Sequence, residues 1–291
     1  MHIQQAITHY LTELTQANRS LHTRRAYQTD LQQFAIWYDA PVEDVTVGAL
    51  RDFFVTVMEL SAATRARKQA VLASFLGWAY RQEMIAANPM GRVERVKHEP
   101  SAPRGVGREQ VERILAVIPT KQTRDRLLFR LLLETGLRIG EALTLHIEDI
   151  DLIPDDEHLR VLGKGNKRRT VLLDDPRLVR QLRRFLKQTQ YKHGALFRAQ
   201  KNGRGGALRY QSVQERWAHY CAQTGVTCTL HQLRHTHATE LLNDGVSLAT
   251  IRKRLGHKHL QTTLRYAEQS DPTADEEIRR WRRQHALRHY P

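Results

Sequence analysis

The sequence predicts a mainly α-helical chain of two domains, the second of which carries a small antiparallel β-sheet. Apolar residues recur at helical spacing, as in "RRAYQTDLQQFAIWY", where Tyr27, Leu31 and Phe34 share one face. One stretch, "HLRVLGKGNKRRTVLL", places short β-prone runs on both sides of a Gly-Lys-Gly-Asn turn, which is typical of a hairpin. A proline- and glycine-rich stretch near residue 100 interrupts the helical periodicity.

That interruption sets the predicted domain boundaries. We expect a helical first domain at residues 1–98, a linker at 99–106 and a second domain at 107–291. In the second domain, "TRDRLLFRLLLETG" is predicted to be a helix that Gly136 ends. Further helices are predicted around "DPRLVRQLRRFLKQ", "YQSVQERWAHYCAQTG", "LHQLRHTHATELLNDG" and "LATIRKRLG", with a charged helix closing the chain.

The charge balance points to a polyanionic partner. The chain has 291 residues, with 46 Lys and Arg against 31 Asp and Glu, which gives a formal net charge of +15. Such an excess indicates nucleic acid or an anionic membrane surface. No apolar stretch is long enough to span a membrane, and the N-terminal residues do not resemble a secretory signal. Cys221 and Cys228 are expected to be packing residues in a reducing, cytoplasmic compartment.

The stretch "LHQLRHTHATELLNDG" concentrates candidate chemistry on one helix. His231 and His235 have the spacing of a zinc helix, but Gln232 stands where its glutamate would be. Arg234 lies on the same face as His231, and a fixed cation disfavours a metal site. The pair suits an oxyanion such as phosphate, because arginine offers a planar fork of donors. On this motif alone, an exposed basic helix explains the pattern equally well.

Four other positions add to the oxyanion hypothesis. Arg138 follows "ETG" at the expected start of a helix, where backbone amides favour an anion, although a salt bridge to Glu134 or Glu141 is the alternative. Lys164 lies at the hairpin tip and could reach into a groove, or could be a solvated turn lysine.

The last two positions follow the final predicted apolar helix. His257 comes directly after a glycine that ends this helix. Tyr266 lies in the polar segment "TTLRYAE", which is unlike a core position. No GxxxxGK[ST] phosphate-binding loop is present.

Together these motifs resemble the tyrosine recombinases, also called the phage integrase family. The resemblance rests on "ETGLRIGEALTLHIEDID", "GKGNKRRTVLL", "HQLRHTHATELLNDG" and "LGHKHLQTTLRYAE", in that order. It covers the second domain, and the N-terminal helices resemble the SAM-like core-binding domain of simple, Xer-like members. The resemblance therefore implies a core-binding domain followed by a catalytic domain.

The resemblance also implies a reaction. Tyr266 would attack a DNA phosphate, forming a 3′-phosphotyrosine and freeing a 5′ hydroxyl. Arg138 and Arg234 would bind the non-bridging oxygens of that phosphate and stabilise the transition state. Lys164, the lysine of "GKG", would protonate the departing oxygen, with Lys167 as the alternative.

Three further roles follow from the same resemblance. His231 would help to deprotonate the tyrosine or hold the phosphate, and His257 would donate a hydrogen bond to it. Glu141, one turn after Arg138, would orient that arginine. No metal and no other cofactor is expected, since cationic side chains supply the positive charge and the phosphotyrosine conserves the bond energy.

The expected partner is double-stranded DNA with a specific inverted-repeat core site. The protein would act as a homo-tetramer, two dimers in synapsis, in a nucleoid-associated cytoplasmic setting, and accessory proteins remain an open question. Candidate DNA contacts are Arg65, Arg67, Lys68 and Lys167, although a solvated helix face explains the first three equally well. The final helix would dock on a neighbouring protomer through Trp281 and Leu287.

Two alternative functions share this fold. A type IB topoisomerase uses a similar pocket, but the two-domain layout and the helix after the tyrosine favour a recombinase. A non-catalytic DNA-binding accessory protein would not need the reactive positions, and none of them is replaced here.

Overall fold

The structure is a computed structural model that describes residues 1–97, 106–163, 167–199 and 206–256. The chain divides into two compact units, Met1–Ser101 and Ala102–Pro291. Each unit has its own hydrophobic core. In the described part of the chain, no helix is long and apolar enough to cross a bilayer.

The first unit is helical, as expected. Ser20 and Ser61 cap its second and fourth helices by accepting the backbone N–H of Thr23 and Thr64. Its aromatic side chains form the centre of the core, where Phe34 and Phe53 meet edge to face with ring centroids 5.0 Å apart. The four α-helices are α1 (Ile3–Gln16), α2 (Leu21–Trp37), α3 (Val47–Thr56) and α4 (Ala62–Arg81).

The second unit is also mainly helical. Its described helices are α5 (Arg108–Ala116), α6 (Thr123–Thr135), α7 (Ile139–Leu143), α8 (Pro176–Thr189), α9 (Tyr210–Thr224), α10 (Leu230–Asn243) and α11 (Leu248–Leu255). The helix expected to start at Arg138, α7, has only five residues, and the hydroxyl of its C-cap residue Thr144 donates to the carbonyl oxygens of Gly140 and Glu141.

Three antiparallel strands form the predicted sheet in the order β1 (Ile150–Asp151), β2 (His158–Leu162) and β3 (Arg168–Leu172). Strands β2 and β3 are the predicted hairpin, whereas β1 was not expected. Leu159 pairs with Val171 and Val161 pairs with Arg169. Because paired residues share a face, Arg169 lies on the same side of the sheet as the buried Val161.

Gly136 ends α6, as the sequence predicts, with a backbone φ of +62°. A Cβ atom at this position would lie 2.5 Å from Leu255 Cδ2 and 2.7 Å from His237 Cδ2. Only glycine therefore allows α10 and the end of α11 to approach the turn between α6 and α7. This close approach brings together segments that are far apart in the sequence.

The two cysteines lie in the core of the second unit. Burial raises the pKa of both thiols, and for Cys228 burial together with the neighbouring Cys221 raises it to about 12. These environments fit the packing role expected for both residues.

Candidate active site

Arg138 is the N-cap of α7, and Glu141 holds it from one turn ahead. The backbone N–H of Arg138 donates to Glu141 Oε2 at 2.9 Å, and Arg138 Nη1 donates to Glu141 Oε1 at 3.0 Å. The Arg138 side chain remains 40% exposed. It is therefore fixed at one side and accessible to an anion from solvent. Glu134, the other predicted partner, is paired with Arg108 and Arg130 instead.

Arg169 is a site residue that the sequence reasoning missed. It donates from Nη1 and Nη2 to the two oxygens of Glu141, at 2.8 and 2.9 Å, and from Nε to the carbonyl oxygen of Arg254 at 3.2 Å. Arg169 pairs with the inward-facing Val161, and this pairing would have indicated that its side chain points inward. The strand register that sets the pairing was not evident from the sequence.

Glu141 thus carries the negative charge at the centre of the cluster. Burial alone would raise the pKa of this carboxyl group. Hydrogen bonds from Arg169 and from the Arg138 backbone, with the charges of both arginines, instead hold the pKa below its usual value. Glu141 is therefore ionised at neutral pH and fixes two guanidinium groups at once.

The hairpin tip begins beside this carboxylate. A Cβ atom on Gly163 would lie 3.4 Å from Arg169 Nη1 and 3.8 Å from Glu141 Oε1. The Gly163 N–H donates to the carbonyl oxygen of Lys167 at 2.8 Å, and Lys167 itself is exposed. Lys164, the predicted general acid, lies outside the described residues.

Arg234 is buried, with 1% of its surface exposed. Its Nη1 donates to the carbonyl oxygen of Gly136 at 2.7 Å, and its Nη2 donates to that of Leu255 at 2.8 Å. Both carbonyls lie at helix C-termini, where the helix dipole favours a cation. The alternative interpretation of this motif as an exposed basic helix does not fit Arg234. Arg234 joins α10 to the ends of α6 and α11.

His231 lies one turn before Arg234 and is exposed. Its ring meets that of His235 edge to face, with centroids 4.5 Å apart. Although part of its ring reaches solvent, desolvation by the surrounding residues and the charges of Arg234 and Arg138 lower the pKa of His231. A neutral imidazole at physiological pH can accept a proton, which suits the role predicted for His231.

The end of α11 completes the described part of the cluster. The carbonyl oxygens of Arg254 and Leu255 accept from Arg169 and Arg234, and a Cβ atom on Gly256 would lie 3.0 Å from Arg169 Nη1. The chain therefore reaches residue 256 beside two of the clustered arginines. His257 and Tyr266 follow it in sequence but lie outside the described residues, as do Trp281 and Leu287.

The cluster has an excess of positive charge. Arg138, Arg169 and Arg234 contribute three guanidinium groups, whereas Glu141 supplies the carboxylate that joins two of them. Such an arrangement suits an oxyanion with several oxygens. Within the ranges that the structure describes, no three His, Cys, Asp or Glu side chains are grouped as metal ligands would be.

The DNA-contact candidates of the first unit lie in different environments. Arg67 is exposed and pairs with Asp30, and Arg65 is half-buried. Lys68 is only 5% exposed, and its Nζ donates to Asp30 Oδ1 at 2.9 Å and to Gln33. This corrects the expectation that Lys68 is displayed on the helix surface, because α2 supplies a buried acidic partner that sequence spacing does not reveal.

Comparison with known proteins agrees with this fold. Residues 106–272 match the model of the phage integrase family, and residues 7–83 match that of the phage integrase N-terminal SAM-like domain. The chain belongs to the phage integrase family. The resemblance and the fold class predicted from the sequence are thereby confirmed.

Within that family the chain is a site-specific tyrosine recombinase. It is 32% identical over 269 residues to the tyrosine recombinase XerC of Mycobacterium bovis (strain BCG / Pasteur 1173P2), covering 86% of this chain and 89% of the relative. It is 31% identical over 281 residues to XerC of Neisseria meningitidis serogroup C, covering 89% of each chain.

Solved structures show the same fold at lower identity. A lambda integrase dimer bound to a COC′ core site superposes with a TM-score of 0.76 at 18% identity, covering 91% of this chain and 95% of that one. XerH bound to palindromic difH in a post-cleavage complex gives a TM-score of 0.74 at 23% identity, covering 91% and 81%.

Proposed function

We propose that this recombinase cuts and rejoins DNA strands at one pocket, built around the cluster of Arg138, Glu141, Arg169 and Arg234. The observation that carries the proposal is the convergence of four distant segments. The turn after α6, the hairpin, α10 and the end of α11 are joined by hydrogen bonds of 2.7 to 3.2 Å. Such fixed donors can stabilise charge that develops on a phosphate without reorganising during the reaction.

In this proposal Arg138 and Arg234 bind the non-bridging oxygens of the scissile phosphate. Arg138 is suited to the role because Glu141 holds one edge of its guanidinium group while the side chain stays exposed. Arg234 is held by two backbone carbonyls, so its position depends on the fold and not on a mobile side chain. Glu141 and Arg169 act as positioning residues.

The reaction is an exchange of phosphodiester partners. The phenol oxygen of Tyr266 forms a bond to phosphorus, and the bond between phosphorus and the 5′ oxygen breaks. We assign the proton on the leaving 5′ oxygen to Lys164 and the acceptance of the phenol proton to His231, with His257 donating a hydrogen bond to the phosphate. Attack by a 5′ hydroxyl on the phosphotyrosine then restores a DNA strand and frees the tyrosine.

The proposed partner is duplex DNA with an inverted-repeat core site, bound by a core-binding domain and a catalytic domain. The formal net charge of +15 supports a polyanionic ligand. A tetramer of two dimers is the proposed assembly, and the likeness to a lambda integrase tetramer bound to a Holliday junction, with a TM-score of 0.72, supports it. Arg65, Arg67 and Lys167 are retained as proposed DNA contacts.

Nicked duplexes that trap the covalent intermediate test the proposed chemistry. Candidate sites from DNA neighbouring the gene are incubated with the protein, and adducts are separated by denaturing electrophoresis and mapped by peptide mass. We expect an adduct at Tyr266 that disappears in Tyr266→Phe while DNA binding persists. Tyr210→Phe is the matched control, since Tyr210 is an exposed tyrosine of the same unit, and it should retain the adduct.

Two results would contradict the proposed chemistry. The adduct could persist in Tyr266→Phe, or folded protein could form no adduct with any candidate site that it binds specifically.

A further inference from the structure

A second group of basic side chains lies on the unit Ala102–Pro291, away from the active-site cluster. A cavity of about 310 Å³ opens between the start of α6 and the outer face of α8. Its walls include Thr123 and the buried Phe185. Four arginines also line it: Arg126, Arg177, Arg180 and Arg184. No acidic side chain lines the cavity within the described part of the chain.

These four arginines differ from others in the same unit. Arg108 and Arg216 form ion pairs with glutamate or aspartate side chains. Arg183, on α8 itself, pairs with Glu157 at 3.0 Å. By contrast, among the described residues none of the four cavity arginines forms an ion pair with a carboxylate. Like charges gathered without partners repel one another, so a bound anion would relieve a local electrostatic cost.

The positions of the arginines define the shape of the expected ligand. Arg177, Arg180 and Arg184 lie three and four residues apart on one face of α8, a row about 10 Å long at 1.5 Å per residue. Arg126 faces this row from α6, and its Nη1 donates to the carbonyl oxygen of Ile118 at 3.0 Å. One guanidinium group is therefore anchored, and three exposed groups lie along a line opposite it.

The start of α6 adds to the positive potential. Its N-cap residue, Gln122, makes no side-chain capping hydrogen bond. An uncapped helix N-terminus carries a partial positive charge that favours anions. Asp125, the acidic residue of this first turn, is buried and is already paired with Arg124 and Arg216. The same helix ends at Gly136, so the cavity lies about 20 Å from the active-site cluster along a 13-residue helix.

We infer that this cavity binds two or more linked phosphate groups at a site separate from the catalytic pocket. Guanidinium forks match phosphate oxygens, and a row of three suits successive phosphates better than a single one. The phosphates could come from a DNA strand outside the core site or from a free polyphosphate. The inference does not require the proposed strand-cutting chemistry.

Calorimetric titration with inorganic tripolyphosphate at constant ionic strength tests the inference. Arg138→Gln is present throughout, so that binding at the catalytic pocket is weakened in every sample. We expect Arg177→Gln/Arg180→Gln/Arg184→Gln to bind about tenfold more weakly, because it loses three charge-assisted contacts. The matched control Arg113→Gln/Lys187→Gln/Lys192→Gln removes three exposed charges that do not line the cavity, and should change the affinity less than about twofold.

A duplex of about 30 base pairs without a core site distinguishes the two phosphate sources. If DNA is the ligand, the cavity variant should lower the slope of log Kd against log salt by about 2 to 3, at roughly 0.9 per phosphate. An unchanged slope with weakened tripolyphosphate binding assigns the site to a free polyphosphate.

The inference is overturned if neither ligand is affected by the cavity substitutions, or if the control variant loses as much binding as the cavity variant. Circular dichroism verifies folding. If the triple variant does not fold, Arg180→Gln alone carries the same test, with an expected loss of about threefold.

Discussion

Two clusters of arginines, near opposite ends of helix α6, are held in different ways. At the C-terminal end, Arg234 donates to the Gly136 carbonyl and Arg138 is held by Glu141. At the N-terminal end, Arg126 faces a row of three arginines on α8, and no carboxylate lines the cavity between them in the described residues. The active-site cluster fixes its arginines by hydrogen bonds, whereas the three α8 arginines of the cavity are exposed and have no carboxylate partner among the described residues.

This contrast separates two ways of binding an anion. Fixed, partly buried donors give geometric precision, which the stabilisation of a transition state requires. Exposed, unpaired cations give attraction with little positional control, which is enough for binding. Substitutions in the active-site cluster should therefore affect catalysis and folding, whereas those of the exposed α8 arginines should affect only binding.

The largest effect is expected for Arg234→Ala. The substitution leaves the Gly136 and Leu255 carbonyls without their buried donor and removes one of the proposed phosphate ligands. We expect the rate of adduct formation to fall about 10³-fold and the free energy of unfolding to fall by about 3 kcal/mol. Single-turnover cleavage and urea unfolding measure the two quantities. Normal cleavage by Arg234→Ala would contradict the proposal that Arg234 binds the scissile phosphate.

The second-largest effect is expected for a substitution of Gly136, in the turn that positions Arg138. Gly136→Ala should lower the free energy of unfolding by about 3 kcal/mol, because a positive φ and contacts with Leu255 and His237 both oppose a side chain. Gly225→Ala is the matched control. Its φ is +66° and nothing lies within 4 Å of an added Cβ atom, so about 1 kcal/mol is expected. Equal losses in urea unfolding would show that close packing at Gly136 is unimportant.

Acid should weaken the same region. Burial and the charge of Arg254 lower the pKa of His237 to about 3, below its unfolded value of about 6.5. The unfolded chain then binds more protons than the folded one, so stability is full above pH 6.5 and falls as the pH drops toward 3. Each such group contributes a slope of about 1.4 kcal/mol per pH unit.

His237→Gln isolates this contribution, because glutamine does not titrate and its side-chain oxygen can still accept from Arg254. We expect urea unfolding between pH 6 and 4 to show a slope shallower by about 1.4 kcal/mol per pH unit. His235, whose pKa burial and neighbouring charges lower to about 4, should keep part of the wild-type slope. An unchanged slope would indicate that His237 is not held neutral.

The smallest effect is expected for Arg180, one of the α8 arginines that line the cavity. Arg180→Gln should change the free energy of unfolding by less than about 0.5 kcal/mol, because this exposed arginine has no acidic partner to lose. Loss of repulsion could even raise stability slightly. Thermal unfolding of Arg180→Gln and wild type measures the difference. A loss above 1 kcal/mol would abolish the contrast between the two helix ends.

Local chemistry made part of the site predictable. Gly136 follows an apolar helical run, and Glu141 comes three residues after Arg138, so the cap and the ion pair could be expected from spacing alone. The order of the motifs along the chain identified the family. Each of these signals lies within a few residues of sequence.

The remaining features depend on tertiary contacts. Arg169 reaches Glu141 only through the register of the hairpin, which the local sequence does not encode. The burial of Lys68 depends on its ion pair with Asp30 on α2, a contact that sequence spacing does not reveal. The burial of Arg234 required the ends of α6 and α11 to meet at one point, which no local pattern encodes.

The most direct test of the central claim changes the charge of the phosphate itself. A methylphosphonate at the scissile position removes one negative charge while retaining the phosphorus centre. If Arg138 neutralises a non-bridging oxygen, Arg138→Ala should cleave the natural phosphate about 10²-fold more slowly than wild type and recover most of that rate on the methylphosphonate. An equal defect on both substrates would contradict the claim that Arg138 acts on the charge of the scissile phosphate.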